Sequence, residues 1–175
     1  NKGTAFFIKE DTLLTARHIF EDYAIDNEEV YIRVNNKRIK CQIENIVEEE
    51  NSIDVILLKT DAYKHGYWLS LLSAVFNEER ALCIMGYPKE IVNGEDIISI
   101  DVHDRIGTTR QDFDTAVVRT DSLALESYKG FSGSPVLNEK GSVIGVALKQ
   151  ISGSLGYCSV NSIKAVSYTH LRAHE

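Results

Sequence analysis

Short β-rich runs separated by turns recur along nearly the whole chain before residue 165. Two of them, Val30 to Val34 and Arg38 to Val47, alternate in polarity across the turn Asn35-Asn36, which predicts a hairpin. Further strand-like runs cover residues 4–8, 12–15, 52–59, 81–85, 96–102, 115–119, 134–137, 142–148 and 156–160. Many short strands with frequent turns predict an all-β barrel or sandwich. The less regular residues 60–80, a short helix or a packed linker, divide the strands into two sets.

Charge and cysteine content narrow the classes of partner and compartment. The 175 residues include 19 basic and 26 acidic side chains, for a formal net charge of -7. This acidity argues against nucleic acid or an anionic membrane as the main partner, and no apolar run approaches the roughly 18 residues of a membrane span. Cys41, Cys83 and Cys158 lie far apart in strand-like runs, where cysteine acts as a small hydrophobe. Their odd number favours a reducing, cytoplasmic location.

A serine between glycines, Gly130-Phe131-Ser132-Gly133, stands just ahead of the apolar run from Pro135. Glycine lets the backbone turn sharply and approach a ligand closely. Such a loop can expose a hydroxyl and aim the surrounding amides at one point, as an oxyanion hole requires. The same residues are also ordinary turn chemistry between strands. A catalytic serine would need a base and an orienting acid from elsewhere in the chain.

His18 and Asp54 are the candidates for that base and acid. His18 follows an apolar strand at the point where the strand gives way to a turn. Asp54 lies inside an apolar run and is expected to share a strand face with Ile56 and Leu58. A carboxylate placed there is partly desolvated and needs a hydrogen-bond partner, for which a histidine N–H is suitable. A partly buried structural histidine and a capping or turn aspartate are the alternatives.

Four motifs follow one another in a defined order along the chain. They are G-T-A-F-F-I at Gly3 to Ile8, L-T-A-R-H at Leu14 to His18, I-D-V-I-L-L-K at Ile53 to Lys59 and G-F-S-G-S-P at Gly130 to Pro135. Together they resemble the trypsin-like serine peptidases, most closely the compact bacterial, HtrA-like branch. The resemblance implies two six-stranded antiparallel β-barrels with the active site in the cleft between them. An α/β-hydrolase needs the motif G-x-S-x-G, with Asp and then His downstream of the serine. Here the second residue after Ser132 is Ser134 instead of glycine, and only the tail histidines His170 and His174 follow, so that fold is excluded.

The resemblance covers residues 3–166 and implies a division of the chain. Residues 1–64 would form the N-terminal barrel, with its first strand in question because the chain starts almost at Gly3. Residues 65–80 would link it to a C-terminal barrel at 81–166, and we expect further domains in the parent protein. Residues 167–175 resemble a read-through sequence and are interpreted as non-native. Their His170 and His174 lack the glutamate of H-E-x-x-H and a third ligand, so no metal site is predicted.

The resemblance also assigns roles to the residues that match its motifs. Ser132 would be the nucleophile, His18 the general base and Asp54 the carboxylate that orients His18. The backbone amides of Gly130 and Ser132 would form the oxyanion hole, and no metal or organic cofactor is needed. The predicted function is therefore that of a serine endopeptidase.

A protein or peptide substrate would pair as an added strand alongside Leu148, Lys149 and Gln150. Glu126, six residues before Ser132, matches a position that often floors the specificity pocket, where it would favour a basic P1 side chain. The alternative is an exposed loop glutamate.

Three residues depart from the family pattern. Phe131 replaces the Asp or Asn that precedes the nucleophile, so activation through an N-terminal amine is unavailable. Ser134 replaces a glycine, and Ile19 stands where extracellular relatives carry cysteine. Two other functions stay open: an inactive or partner-gated peptide-binding module, and a structural β-domain.

Overall fold

The computed structural model describes residues 3–20, 30–35, 37–45, 53–73, 81–87, 98–105, 114–118, 130–151 and 154–164. Within these ranges the chain forms eleven β-strands. In order, they are β1 Ala5–Lys9, β2 Thr12–Ala16, β3 Val30–Val34, β4 Lys37–Asn45, β5 Val55–Thr60, β6 Ala81–Gly86, β7 Ile98–Arg105, β8 Asp114–Val118, β9 Pro135–Leu137, β10 Val143–Ile151 and β11 Ser154–Ser159. A 3-10 helix at Arg17–Phe20 and a helical turn over residues 160–164 complete the set. The predicted all-β class is confirmed.

The first half of the chain forms an antiparallel sheet in the order β1-β2-β5-β4-β3. The predicted hairpin is β3–β4, paired from Val30 with Cys41 to Val34 with Lys37. Asn35 at its turn has φ 48°, a left-handed conformation that asparagine tolerates better than most residues. The described residues of this half form five strands, so the expected count of six in the first barrel stays a prediction.

The second half closes into a barrel in the order β10-β11-β8-β7-β6-β9, with β9 pairing back to β10. Closure depends on the short strand β9, which pairs antiparallel with β6 on one side and with β10 on the other. Because a closed barrel has no unpaired strand edge, its backbone groups are satisfied internally. The residues just before β9 are therefore held at the rim of a rigid unit.

The strands β1, β2 and β5 are buried on both faces. Their residues Phe6, Leu14 and Val55 belong to a core that also contains Val146 and Leu148 of β10. The residues adjacent to these on the same strands face the other way and pack inside the first sheet: Phe7, Leu13 and Ile56. This alternation is the two-residue period of a β-strand. Both halves thus share one apolar core, which fixes their relative position.

The segment from Leu69 to Leu72 is extended and hydrogen-bonds to both halves. The Leu69 N–H donates to the Phe7 carbonyl at 2.9 Å, and the Leu72 N–H donates to the Val143 carbonyl at 2.8 Å. Leu71 forms a parallel bridge with Val143. The irregular segment therefore packs as a linker rather than a helix over these residues, although the domain boundaries stay predictions. Among the described residues, no helix is long and apolar enough to cross a membrane.

Candidate active site

Strand register brings His18 beside Asp54. The β2–β5 pairing ends with Ala16 opposite Val55, so the residue after the one strand and the residue before the other are neighbours. The Arg17 N–H donates to the Asp54 carbonyl at 3.1 Å and starts the 3-10 turn that carries His18. Asp54 itself lies in a bend just before β5, so its predicted place within the strand is wrong by one residue.

Asp54 contacts His18 at two points. Its Oδ2 lies 2.7 Å from Nδ1 of the ring, and its Oδ1 accepts the His18 backbone N–H at 2.8 Å. The two side chains are 29% and 28% exposed, so the pair is partly desolvated. A carboxylate only accepts, which places the ring hydrogen on Nδ1 in the neutral imidazole and leaves a lone pair on Nε2. The ring is thereby fixed in both orientation and tautomer.

Ser132 lies on the other side of the His18 ring. Its Oγ is 3.0 Å from Nε2 of His18, so Asp54, His18 and Ser132 form a continuous hydrogen-bonded series. The same Oγ lies 2.9 Å from the Leu148 carbonyl oxygen. A hydroxyl carries one hydrogen, so it can donate to His18 or to Leu148 but not fully to both. The structure thus brings together all three side chains that the sequence proposed for catalysis.

The loop that carries Ser132 depends on two glycines. Gly130 has φ 98° and Gly133 has φ 89°, a region that only glycine adopts without strain. A Cβ atom on Gly133 would also collide with the Thr4 carbonyl and the Thr15 hydroxyl. The Gly133 N–H donates to Ala147 at 2.7 Å, which ties the loop to β10. Both glycines of the motif therefore have a conformational reason to be there.

The amides predicted for the oxyanion hole belong to Gly130 and Ser132. Within the described part of the chain, neither N–H has an acceptor among the backbone and side-chain hydrogen bonds. Leu148, Lys149 and Gln150 all lie on β10, and the Leu148 carbonyl reaches Ser132 directly. Glu126 and residues 167–175 lie outside the described residues, so their predicted roles stay predictions.

Thr4 is a residue of this site that the sequence reasoning missed. It is 4% exposed and hydrogen-bonds to the carbonyls of Gly130 and Ser132. The residues that it contacts in the loop are 126 and 128 positions away, so no local pattern could reveal the contact. Only its place in the G-T-A-F-F-I motif offered a signal.

No metal site accompanies these residues in the ranges that the structure describes, because no three His, Cys, Asp or Glu side chains cluster there.

A surface cavity of about 260 Å³ lies elsewhere, lined by Phe7, His65, Tyr67, Trp68 and Leu69. It shares no residue with the His18–Ser132 site.

Comparison with known proteins decides the family. Residues 3–146 match the family model described as the trypsin-like peptidase domain. The chain belongs to the trypsin-like peptidase family. As a member of this family, the protein is a serine-type endopeptidase that acts on proteins or peptides, as the sequence motifs predicted. The closer resemblance to the HtrA-like branch stays a prediction.

Solved structures of proteases share the fold of this chain. The inactive form of the Rv3671c protease superposes with a TM-score of 0.72 at 16% identity, covering 95% of this chain and 82% of that one. The active form from M. tuberculosis gives 0.70 at 17%, covering 93% and 70%. The serine protease of a human pathogenic astrovirus gives 0.64 at 18%, covering 90% and 82%. Among curated proteins, no sequence matches.

Proposed function

We propose that this trypsin-like peptidase cleaves peptide bonds through a Ser132–His18–Asp54 triad and an acyl-enzyme intermediate. The observation that supports this most strongly is the hydrogen-bonded series from Asp54 Oδ2 through His18 to Ser132 Oγ, with distances of 2.7 and 3.0 Å. A nucleophile within hydrogen-bond reach of a base, which a third group orients, is the geometry that activates a serine.

The three side chains have distinct roles in the proposed reaction. Ser132 Oγ attacks the carbonyl carbon of the scissile bond while its hydrogen passes to His18 Nε2. His18 then donates that hydrogen to the leaving amine, which departs and leaves an acyl-enzyme on Ser132. Water, deprotonated by the same nitrogen, hydrolyses the ester and restores the serine. Asp54 stays ionised throughout and stabilises the imidazolium, because it already accepts the Nδ1–H.

The oxyanion formed in each attack would be bound by the amides of Gly130 and Ser132. In the described residues both N–H groups lack an acceptor, which leaves them available for the negative oxygen. The positive φ of Gly130 sets the direction of the first amide. Each such donor contributes roughly 10²–10³ in rate. The substrate would lie extended along β10 at residues 148–150 and add a strand by backbone hydrogen bonds.

A partner-gated module is the second candidate function, and one observation favours it. The Ser132 hydroxyl lies 2.9 Å from the Leu148 carbonyl, marginally closer than it lies to His18. If the hydroxyl donates to Leu148, its lone pair faces His18 and no proton transfer to the base can begin. A ligand that engages the Leu148 carbonyl would then be needed to turn the hydroxyl toward the base.

Labelling with a fluorophosphonate probe tests the proposal. We expect the wild type to be labelled on Ser132, and we expect Ser132→Ala and His18→Ala to abolish labelling. Ser134→Ala is the matched control, since it removes a hydroxyl two residues away and should be labelled like the wild type. Cleavage of a denatured protein, with mass spectrometry of the products, should show internal cuts.

Two results would overturn parts of this proposal. Labelling that survives Ser132→Ala would show that another serine is the nucleophile. A folded wild type that is labelled only after a peptide ligand is added would favour the gated module instead.

A further inference from the structure

We propose that Thr4 is a positioning residue that holds the Gly130–Ser132 loop in the conformation its two amides need. The inference rests on the proposed function, because the amides matter only if Ser132 is the nucleophile. Thr4 lies just before β1 in the first half of the chain, and its side chain is 4% exposed. The loop belongs to the second half. Thr4 therefore acts across the boundary between the two.

Thr4 binds two carbonyls of the loop at once. Its backbone N–H donates to the Ser132 carbonyl at 2.8 Å, and its hydroxyl donates to the Gly130 carbonyl at 2.7 Å. The two residues that carry these carbonyls flank Phe131, which is 1% exposed. Thr4 thus holds the peptide units on either side of the unit that carries the Ser132 N–H.

The Thr4 hydroxyl has no freedom to turn elsewhere. It accepts the Tyr87 N–H at 3.1 Å, so its own hydrogen is directed to Gly130. The Thr4 carbonyl accepts the Thr15 hydroxyl at 2.7 Å, which anchors the backbone of Thr4 to β2. Every donor and acceptor of Thr4 is therefore engaged. A buried group of this kind is costly to leave unpaired, so the network favours one arrangement.

The two hydrogen bonds from Thr4 to the Gly130 and Ser132 carbonyls form a clamp on the loop. The loop needs this clamp because glycine alone does not fix its conformation. Gly130 can adopt other φ values at little cost, and a rotation there would turn its N–H away from the reacting oxygen. Peptide units are planar, so holding the Gly130 and Ser132 carbonyls fixes the orientation of two peptide planes. The peptide unit that carries the Ser132 N–H lies between these planes, and the Gly130 N–H adjoins the first of them across a single Cα atom. Thr4 supplies this restraint through hydrogen bonds. Phe131, which replaces an Asp or Asn of the family pattern, has no charge and cannot supply it through an ion pair.

The surroundings leave the clamp little room to rearrange. A Cβ atom on Gly86 would lie 2.8 Å from Cδ1 of Phe131 and 3.1 Å from the Thr4 hydroxyl oxygen. The end of β6 is thus packed directly against both. The contacts that Thr4 makes join neutral groups, so we expect the clamp to be insensitive to salt.

Thr4→Val tests the inference, because it keeps the branched shape and removes the hydroxyl. We expect kcat to fall about 10- to 100-fold, less than the loss of a whole oxyanion donor, with KM within about twofold. The pH profile should keep its shape, since His18 and Asp54 are untouched. Thr4→Ser restores the hydroxyl and should recover kcat to within about threefold of the wild type.

Thr60→Val is the matched control. Thr60 is equally buried, at 5% exposure, and its hydroxyl donates to the Tyr63 carbonyl at 2.6 Å, without contact to the loop. Equal kcat in Thr4→Val and Thr60→Val would overturn the inference. So would fewer titratable active sites with an unchanged turnover per site, which would indicate a folding role.

Hydrogen exchange separates this inference from the proposed function. The Gly133 and Ser134 amides donate to Ala147 and Phe131, so they report on the loop whether or not the protein is active. We expect both to exchange at least about tenfold faster in Thr4→Val than in Thr60→Val, since local opening sets their protection. Unchanged exchange would overturn the clamp, whereas an inactive wild type with faster exchange in Thr4→Val would overturn only the catalytic assignment.

Discussion

Asp54 holds His18 by the ring and by the backbone at the same time, with Oδ2 at 2.7 Å from Nδ1 and Oδ1 at 2.8 Å from the amide nitrogen. In Asp54→Asn the amide oxygen would keep the backbone contact, and the NH₂ group would face Nδ1 as a donor. The ring hydrogen would then move to Nε2, which could no longer accept from Ser132. We expect kcat to fall by about 10⁴ with little change in stability.

Steady-state kinetics and urea unfolding of Asp54→Asn check this prediction together. Asp54→Ala is the comparison, since it removes both contacts and should also lower stability. A kcat for Asp54→Asn within about tenfold of the wild type would contradict the assigned tautomer.

Gly133→Ala is expected to disrupt the nucleophile loop. The substitution would force alanine into φ 89° and drive its Cβ into the Thr4 carbonyl. We expect a loss of about 3 kcal/mol or more in the free energy of unfolding, from left-handed strain and from overpacking. Gly141→Ala is the control, because Gly141 has φ 79° with nothing within 4 Å of the added atom. Urea midpoints that fall equally in both variants would show that strain alone matters.

Ser134→Ala is expected to stabilise the protein. The Ser134 side chain is fully buried, and its hydroxyl has no partner among the described residues. Removing an unsatisfied buried group recovers about 1 kcal/mol of its desolvation cost. Ser159→Ala is the opposite case, because the Ser159 hydroxyl accepts the Ser162 N–H at 3.2 Å and caps the last helical turn. It should lose about 1 kcal/mol, and equal thermal shifts in the two variants would contradict the distinction.

Burial of Cys41 makes stability pH-dependent in alkaline solution. Burial, with a smaller contribution from the charge of Asp61, raises the pKa of the Cys41 thiol from 9.0 to about 11. Between these values the unfolded chain loses the thiol proton and the native chain keeps it, so the free energy of unfolding falls as pH rises. Below pH 9 both states keep the proton and no effect remains.

The stability difference between the wild type and Cys41→Ala isolates this contribution from other groups that titrate there. The difference should be constant in neutral solution and should shrink as pH rises from 9 toward 11. A difference that stays constant over this range would show that the thiol ionises without cost in the native state.

Short-range sequence patterns predicted most of the strands, because a two-residue alternation and turn residues are local signals. Local sequence motifs also identified the residues proposed for catalysis. His18, Asp54 and Ser132 lie in motifs whose order is visible in the sequence, and the structure brings them into contact. Their catalytic roles remain proposals.

What the sequence could not predict depends on contacts between distant residues. The hydroxyl of Thr4 meets Gly130 only after the two halves pack together, 126 positions apart in the chain. The extended course of Leu69 to Leu72 is set by Phe7 and Val143, not by its own composition. The shift of Asp54 out of β5 follows from the end of the β2 pairing at Ala16.

The hydrogen bonds between Thr4 and the Gly130 loop have a consequence for the synthesis of the chain. His18 and Asp54 both precede Ser132 in the chain, so a ribosome adds them first. The loop is held only once Ala147 has been translated and paired with Gly133. A nascent chain that ends before Ala147 therefore lacks one of the two ties that hold the Ser132 loop, and the loop is complete only after that residue is added.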